Sequence, residues 1–212
     1  EAISPSMLDL GARGGADEGM IDIAWASSMY AFEPEPAEAK NLAAEGDPRW
    51  ERFEVLPFAV GHLSGTSNLH VPESPAAASL LEHNPAMLER FGHPNLHLTK
   101  RKVTVETVTL DELVANGQLG RIDYMKLDIE GPELSVMQAG KQVLRECVAV
   151  KTECSFLEQR RNQPLTWQVA AFLLDEGFEI VDIRDIHRWR RRNLPSHPYV
   201  AGQKMPYSRG QL

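Results

Sequence analysis

Short apolar runs alternate along the chain with segments in which apolar residues recur every three or four positions. The apolar runs predict strands at 7–10, 29–32, 53–60, 122–129, 147–152 and 178–183. Val103, Val105 and Val108 predict a further edge strand, and apolar spacing predicts about five helices, one of them ending at Gly46 and one at Gly177. This alternation is typical of an α/β fold with a mostly parallel sheet and helices on both faces.

Two parts of the chain depart from this alternation. Residues 66–102 are rich in Pro, Ala, His and Asn, and predict an irregular insertion with one short helix at 87–91. Residues 184–212 predict a basic, loop-like tail, because 188–192 holds four arginines and prolines follow it. The whole chain, 1–212, is predicted to be a single domain, since domains usually contain roughly 100–200 residues.

The charge balance limits the classes of partner. Lys and Arg number 22 against 30 Asp and Glu, which gives a net charge of −8. A general nucleic-acid binder needs a basic surface for its phosphate contacts, so we expect no nucleic-acid partner. No run of ~18 apolar residues predicts a membrane span, and residues 1–6 lack the features of a signal peptide. We therefore expect a cytoplasmic protein with reduced cysteines.

The most informative residues are those that directly follow the predicted strands, because open parallel sheets bind ligands beyond the carboxyl ends of their strands. A glycine-rich turn at 11–15 follows the first strand, and glycine lets a ligand approach the backbone closely. Glu33 follows the second strand, where a carboxylate can accept hydrogen bonds from ribose hydroxyls. Asp128 and Glu130 lie at the end of the strand predicted at 122–129, on one face if that strand continues far enough. The pattern predicts a nucleoside-containing ligand.

A ribose site alone does not separate a dinucleotide from S-adenosylmethionine, since both ligands carry a ribose. A dinucleotide fingerprint has the form Gly-x-Gly-x-x-Gly. Here Arg13 occupies the position of the second glycine, which normally lets a pyrophosphate approach. The spacing disfavours an NAD-dependent oxidoreductase, which stays as one alternative. A non-catalytic nucleoside-binding module with the same fold is the other.

Five phrases occur in a fixed order between Met7 and Glu153. The most specific are Phe-Glu-Pro-Glu-Pro at 32–36 and Lys-Leu-Asp-Ile-Glu-Gly-Pro-Glu at 126–133, and the others lie at 8–15, 59–61 and 108–113. Together they resemble the FkbM family of S-adenosylmethionine-dependent methyltransferases. The resemblance implies a Rossmann-like class I methyltransferase sheet, S-adenosyl-L-methionine as cofactor, and methyl transfer to a hydroxyl of a sugar, glycan precursor or secondary metabolite.

The resemblance also implies roles by position. The glycine turn and Asp9 would hold the methionine end of the cofactor, Glu33 would take the ribose hydroxyls, and Phe58 and Ala59 would border the adenine. Arg13 stands where the family commonly has Asn, so its guanidinium would contact the cofactor carboxylate or point to solvent. The predicted cofactor-binding residues are Asp9, Gly11, Arg13, Gly15, Glu33, Pro34, Phe58, Ala59 and Asp128.

Asp128 and Glu130 are the predicted catalytic residues, because the resemblance places them beside the methyl group and the acceptor. A carboxylate there, or a histidine of the insertion at 66–102, would remove the hydroxyl proton of a small-molecule or glycan acceptor. The insertion is expected to shape the acceptor pocket. Two carboxylates do not distinguish a base from a magnesium site, and we predict no metal. No segment before Leu212 predicts the seventh, antiparallel strand that usually closes this fold.

Overall fold

The secondary structure is described by a computed structural model for residues 4–91 and 98–186. Its strands are β1 (Ser6–Leu10), β2 (Ser28–Phe32), β3 (Arg52–Leu56), β4 (Ala59–Val60), β5 (Gly65–Val71), β6 (Arg101–Val108), β7 (Tyr124–Leu127) and β8 (Ala149–Thr152). Its α-helices are α1 (Pro36–Glu45), α2 (Pro85–Arg90), α3 (Leu110–Ala115), α4 (Glu133–Gln138), α5 (Lys141–Glu146) and α6 (Thr166–Asp175). Two 3₁₀ segments occupy Glu18–Ala26 and Pro75–Ala77.

The main sheet has the strand order β3-β2-β1-β7-β8, and every neighbouring pair is parallel. Leu10 is in register with Phe32 on one side and with Leu127 on the other, so the three central strands end together. The chain moves outward from β1 to β2 and β3, then returns to the other side of β1 with β7. This reversal of direction creates a crevice beyond the ends of β1 and β7, where parallel sheets bind ligands.

Both faces of the main sheet are covered, as the sequence predicts. On one face, Leu8 and Leu10 pack in a cluster with buried residues of α3, α4, α5 and α6. On the other face, Met7 and Met29 pack with Leu42 of α1. Successive residues of β1 enter opposite clusters because strand side chains alternate between faces. The predicted α/β fold with a mostly parallel sheet is therefore confirmed.

A second sheet, with the order β4-β6-β5, corrects two predictions. The predicted strand at 53–60 is two strands, because Pro57 follows β3 and β4 then pairs with β6 instead of the main sheet. The insertion at 66–102 is not irregular at its start, since β5 pairs antiparallel with β6 over its full length. In β5 only the last three residues, Leu69, His70 and Val71, are buried. The strand therefore lacks the alternation of apolar and polar residues that would have predicted it. The predicted short helix is present as α2.

The predicted strand at 178–183 is wrong. The structure describes residues 178–186 without a strand, and Ile180, Val181 and Ile183 expose more than half of their surface. An apolar alternation forms a strand only where a neighbour satisfies its N–H and C=O groups, and within the described residues nothing pairs with the outer edge of β8. Most of the predicted basic tail at 184–212 lies outside the described residues. None of the described helices is long and apolar enough to cross a membrane.

Candidate active site

The glycine turn after β1 packs directly on the end of β7. The N–H groups of Gly11 and Ala12 both donate to the carbonyl oxygen of Phe32, at 3.3 and 3.1 Å. Gly11 has φ +95°, and a Cβ atom there would lie 2.1 Å from the carbonyl oxygen of Asp128. Both the backbone conformation and the close approach require glycine. The turn therefore brings the backbone of β1 against the residue that follows β7.

A cleft opens at these strand ends, and seven of the nine predicted cofactor-binding residues line it. They are Gly11, Arg13, Glu33, Pro34, Phe58, Ala59 and Asp128. The insertion at 66–102 also contributes to the lining, with Leu69, Pro75, Ala76, Ala78 and Leu80. The two predicted residues outside this lining are Asp9 and Gly15, and the latter borders a second cavity that shares no lining residue with the cleft.

Glu33 is a buried carboxylate at the end of β2, with 3% of its surface exposed. Its Oε1 accepts a hydrogen bond of 2.8 Å from the N–H of Glu35. Burial raises the pKa of Glu33, against the opposing effects of that N–H and of Arg13. The Nη2 atom of Arg13 lies 3.4 Å from Oε1 of Glu33 and 2.6 Å from Oε2 of Glu35. Arg13 is thus directed at two carboxylates and not at solvent. One of them is Glu33, which the ribose is expected to contact.

Asp9 forms a buried ion pair below the cleft. Its Oδ1 lies 2.9 Å from Nζ of Lys126, and its Oδ2 accepts a hydrogen bond of 2.8 Å from the N–H of Asp17. The same ammonium donates to the carbonyl oxygen of Gly11 at 3.2 Å. Burial raises the pKa of Asp9, while Asp9 and Asp128 outweigh burial and raise the pKa of Lys126. Asp9 therefore holds the glycine turn from beneath, and its direct contact with a cofactor stays a prediction.

Three carboxylates converge beside the cleft, and of these only Asp128 belongs to its lining. Oxygen atoms of Asp128, Glu130 and Glu153 all lie within 4.8 Å of one another. Strand continuation does not explain this, because β7 ends at Leu127 and Glu130 has φ 67°. Desolvation by the surrounding groups, followed by the neighbouring carboxylates, raises the pKa of Glu153 to about 8, although part of this side chain is open to solvent. Such a group is close to proton uptake and release at neutral pH.

The same three carboxylates have the ligand type that divalent cations prefer. Glu130, however, already forms a close ion pair with the guanidinium of Arg160. This pairing compensates the charge of Glu130 alone, and the absence of a metal stays a prediction.

Glu133 is buried at the start of α4 and braces the loop that carries Glu130. Its Oε1 accepts hydrogen bonds from the N–H groups of Ile129 at 3.2 Å and Gly131 at 2.9 Å. Burial raises its pKa to about 7, even though these two donors favour the ionised form. We interpret Glu133 as a structural residue of the site.

The sequence missed several residues that build the site. Glu153 follows β8, so the strand-end rule that found Asp128 also applies to it. Lys126 lies two residues before Asp128 and in register with Asp9, which the strand pairing could have indicated. Arg160 lies in the segment between β8 and α6, where no local pattern points to the cleft. Of the histidines proposed as an alternative base, His70 and His83 face Thr99 and do not line the cleft.

Comparison with known proteins gives matches of two kinds. The family model described as Methyltransferase FkbM domain matches residues 9–180. The 2-O-methyltransferase NoeI of Sinorhizobium fredii is 24% identical over 167 residues, which cover 77% of this chain and 68% of that protein. The hexuronic acid methyltransferase AglP of Haloferax volcanii is 27% identical over 119 residues, covering 56% of this chain and 44% of that protein. No solved structure gives a significant match.

Proposed function

The chain belongs to the FkbM methyltransferase family, and we propose that it moves a methyl group from S-adenosylmethionine to a hydroxyl of a sugar, glycan precursor or secondary metabolite. The observation that carries the choice of cofactor is Glu33, a buried carboxylate on the cleft floor beside the glycine turn. A buried carboxylate needs hydrogen-bond donors, and two ribose hydroxyls supply them.

The residues of the cleft fit the parts of this cofactor. Phe58 and Ala59 offer an apolar border for the adenine ring, and Gly11 lets the backbone lie close to the ligand. Asp128 lines the same cleft and supplies negative charge near the expected position of the sulfonium. When bound, S-adenosylmethionine supplies an electrophilic methyl group, so the protein's main task is alignment of the acceptor oxygen.

Asp128 and Glu130 are the proposed groups that receive the acceptor proton. An acceptor hydroxyl that gains a methyl group must lose its proton, and one of these carboxylates would receive it. Glu153 adds a third carboxylate within 4.8 Å. With its pKa near 8, Glu153 can accept the proton from its neighbours and return it to solvent.

The acceptor class is supported by the names of two relatives. One relative is called a 2-O-methyltransferase and the other a hexuronic acid methyltransferase. The first name specifies transfer to oxygen and the second specifies a sugar acid. A sugar hydroxyl is therefore the acceptor that we would test before any other.

Thermal unfolding with added nucleotides tests the cofactor proposal. A ligand that binds only the folded state raises the melting temperature, so S-adenosylhomocysteine should raise it and NAD should not. Stabilisation by NAD alone would favour the oxidoreductase alternative.

Transfer of labelled methyl from S-adenosylmethionine to a panel of monosaccharides then tests the reaction. Stabilisation by S-adenosylhomocysteine without transfer to any hydroxylated acceptor would favour a non-catalytic module.

A further inference from the structure

Arg160 is an arginine in the protein interior, with 2% of its surface exposed. Arginine is rarely buried so completely unless its charge is paired. Its Nη2 atom forms a close ion pair with Glu130 and also donates to the carbonyl oxygen of Ala77 at 3.4 Å. One guanidinium therefore joins the loop after β7 to the 3₁₀ segment of the insertion.

The backbone that carries Arg160 is fixed on both sides. Arg160 forms an isolated antiparallel bridge with His83, and its own N–H donates to Oε1 of Gln163 at 3.1 Å. Two backbone hydrogen bonds flank this bridge. The N–H of Arg161 donates to the carbonyl oxygen of Glu82 at 2.8 Å, and the N–H of Asn84 donates to the carbonyl oxygen of Gln159 at 2.9 Å. These hydrogen bonds fix the backbone from which the guanidinium extends to Glu130.

The loop after β7 is shaped to receive this side chain. A Cβ atom at Gly131, which has φ +124°, would lie 3.2 Å from Cδ of Arg160. Glu130 itself has the left-handed φ of 67°, which is uncommon for a residue with a side chain. The Oγ of Ser79 donates to the carbonyl oxygen of Glu130 at 2.8 Å. Strained residues persist where several contacts define them, and such residues cluster at active sites.

We propose that Arg160 is a positioning residue for the methyl transfer, which holds Glu130 ionised and directed toward Asp128 at the acceptor end of the cleft. Its catalytic meaning rests on the proposed function, although the pairing itself does not. Without the guanidinium, Glu130 would be surrounded by the carboxylates of Asp128, Glu153 and nearby Glu133. Burial and Asp128 raise the pKa of Glu130, and Arg160 is the group that opposes them.

A ¹³C NMR titration of the Glu130 carboxyl in the full chain tests this role without any knowledge of the acceptor. In Arg160→Met, the titration midpoint should rise by about one pH unit or more, because the opposing charge is lost. Arg160→Lys keeps a positive charge and should restore part of the shift. Arg161→Met is the matched control, since Arg161 is mostly exposed and lies 3.4 Å from Glu82 instead. The Glu130 midpoint should not move in this control.

A titration of the unmodified protein keeps the test decisive if Arg160→Met does not fold. The ¹⁵N signals of the Arg160 guanidinium should change with the same midpoint as the Glu130 carboxyl, and those of Arg161 should not. Guanidinium signals that stay constant through the Glu130 midpoint would overturn the inference, as would an unchanged midpoint in a folded Arg160→Met variant. Either result leaves binding of S-adenosylhomocysteine intact, whereas failure of that binding in the unmodified protein would overturn only the proposed function.

Discussion

Asp9 and Lys126 lie opposite each other on neighbouring strands of the main sheet, with 2.9 Å between Oδ1 and Nζ. Both side chains are buried, and the ammonium also donates to the carbonyl oxygen of Gly11. The pair therefore connects the interior of the sheet to the turn that borders the cleft. A charge in this position is stabilised only while its partner is present.

We expect Lys126→Met to lower the free energy of unfolding by about 3–5 kcal/mol, because it leaves the buried carboxylate of Asp9 without its partner. Urea unfolding measures the change. Lys151→Met is the control, since Lys151 is largely exposed and its pairing with Asp17 should contribute only about 0–1 kcal/mol. The double variant Asp9→Asn, Lys126→Met should recover part of the loss. Equal losses in Lys126→Met and Lys151→Met would contradict the account.

Gly11→Ala should be more costly than an alanine at another left-handed glycine. Gly117 has φ +71° and no atom within 4 Å of a built Cβ, whereas the Cβ at Gly11 would meet the carbonyl oxygen of Asp128. Both substitutions strain the backbone, but only the first forces β1 and β7 apart. We expect an additional loss of about 1–3 kcal/mol in Gly11→Ala, typical of overpacking, from urea unfolding of the two variants. Equal losses would mean that the close approach is unimportant.

Glu133 should make the stability of the protein depend on pH. Burial raises its pKa from 4.5 to about 7, so its contribution is fully present below pH 4.5 and is lost as the pH rises through 7. Relative to Glu133→Gln, the unmodified protein should lose roughly 3 kcal/mol of unfolding free energy between about pH 4.5 and 8. Glu89→Gln, at an exposed position, should retain the pH dependence. If the unfolding free energies of Glu133→Gln and of the unmodified protein change equally with pH, the pH dependence does not come from Glu133.

Arg13 should control the pH range in which the cofactor binds. Burial raises the pKa of Glu33, and the guanidinium of Arg13 opposes that rise. In Arg13→Ala the carboxyl should take up a proton at higher pH, which removes an acceptor for the ribose hydroxyls. We measure the affinity for S-adenosylhomocysteine by calorimetry while the pH is lowered. The loss of affinity should begin at a higher pH in Arg13→Ala than in the unmodified protein. Identical pH profiles would show that Arg13 does not act on Glu33.

The sequence predicts the main sheet and much of the cleft because both depend on local patterns. Buried parallel strands are continuous apolar runs, and the rule that ligands lie at strand ends then selects Gly11, Glu33 and Asp128. The same rule, applied to β8, selects Glu153. The structure brings these residues together because their strands end in one register.

Other features depend on contacts between distant parts of the chain. Arg160 reaches Glu130 only because its backbone is bridged to His83 in the insertion, and no nearby residue signals that contact. The strand β5 was missed because its partner β6 begins thirty residues after β5 ends. The strand predicted at 178–183 is the opposite case. Its local pattern of apolar residues is present, but it has no partner among the described strands.

Calorimetric titration of S-adenosylhomocysteine into the unmodified protein and Glu33→Ala tests the central claim most directly. We expect micromolar binding in the unmodified protein, weakened by about 1–3 kcal/mol, or roughly 5- to 150-fold, when the carboxylate is removed. Glu38→Gln is the matched control, because Glu38 lies 3.8 Å from the same Arg13 but outside the cleft lining. Unchanged affinity in Glu33→Ala, or binding of NAD in place of S-adenosylhomocysteine, would contradict the account.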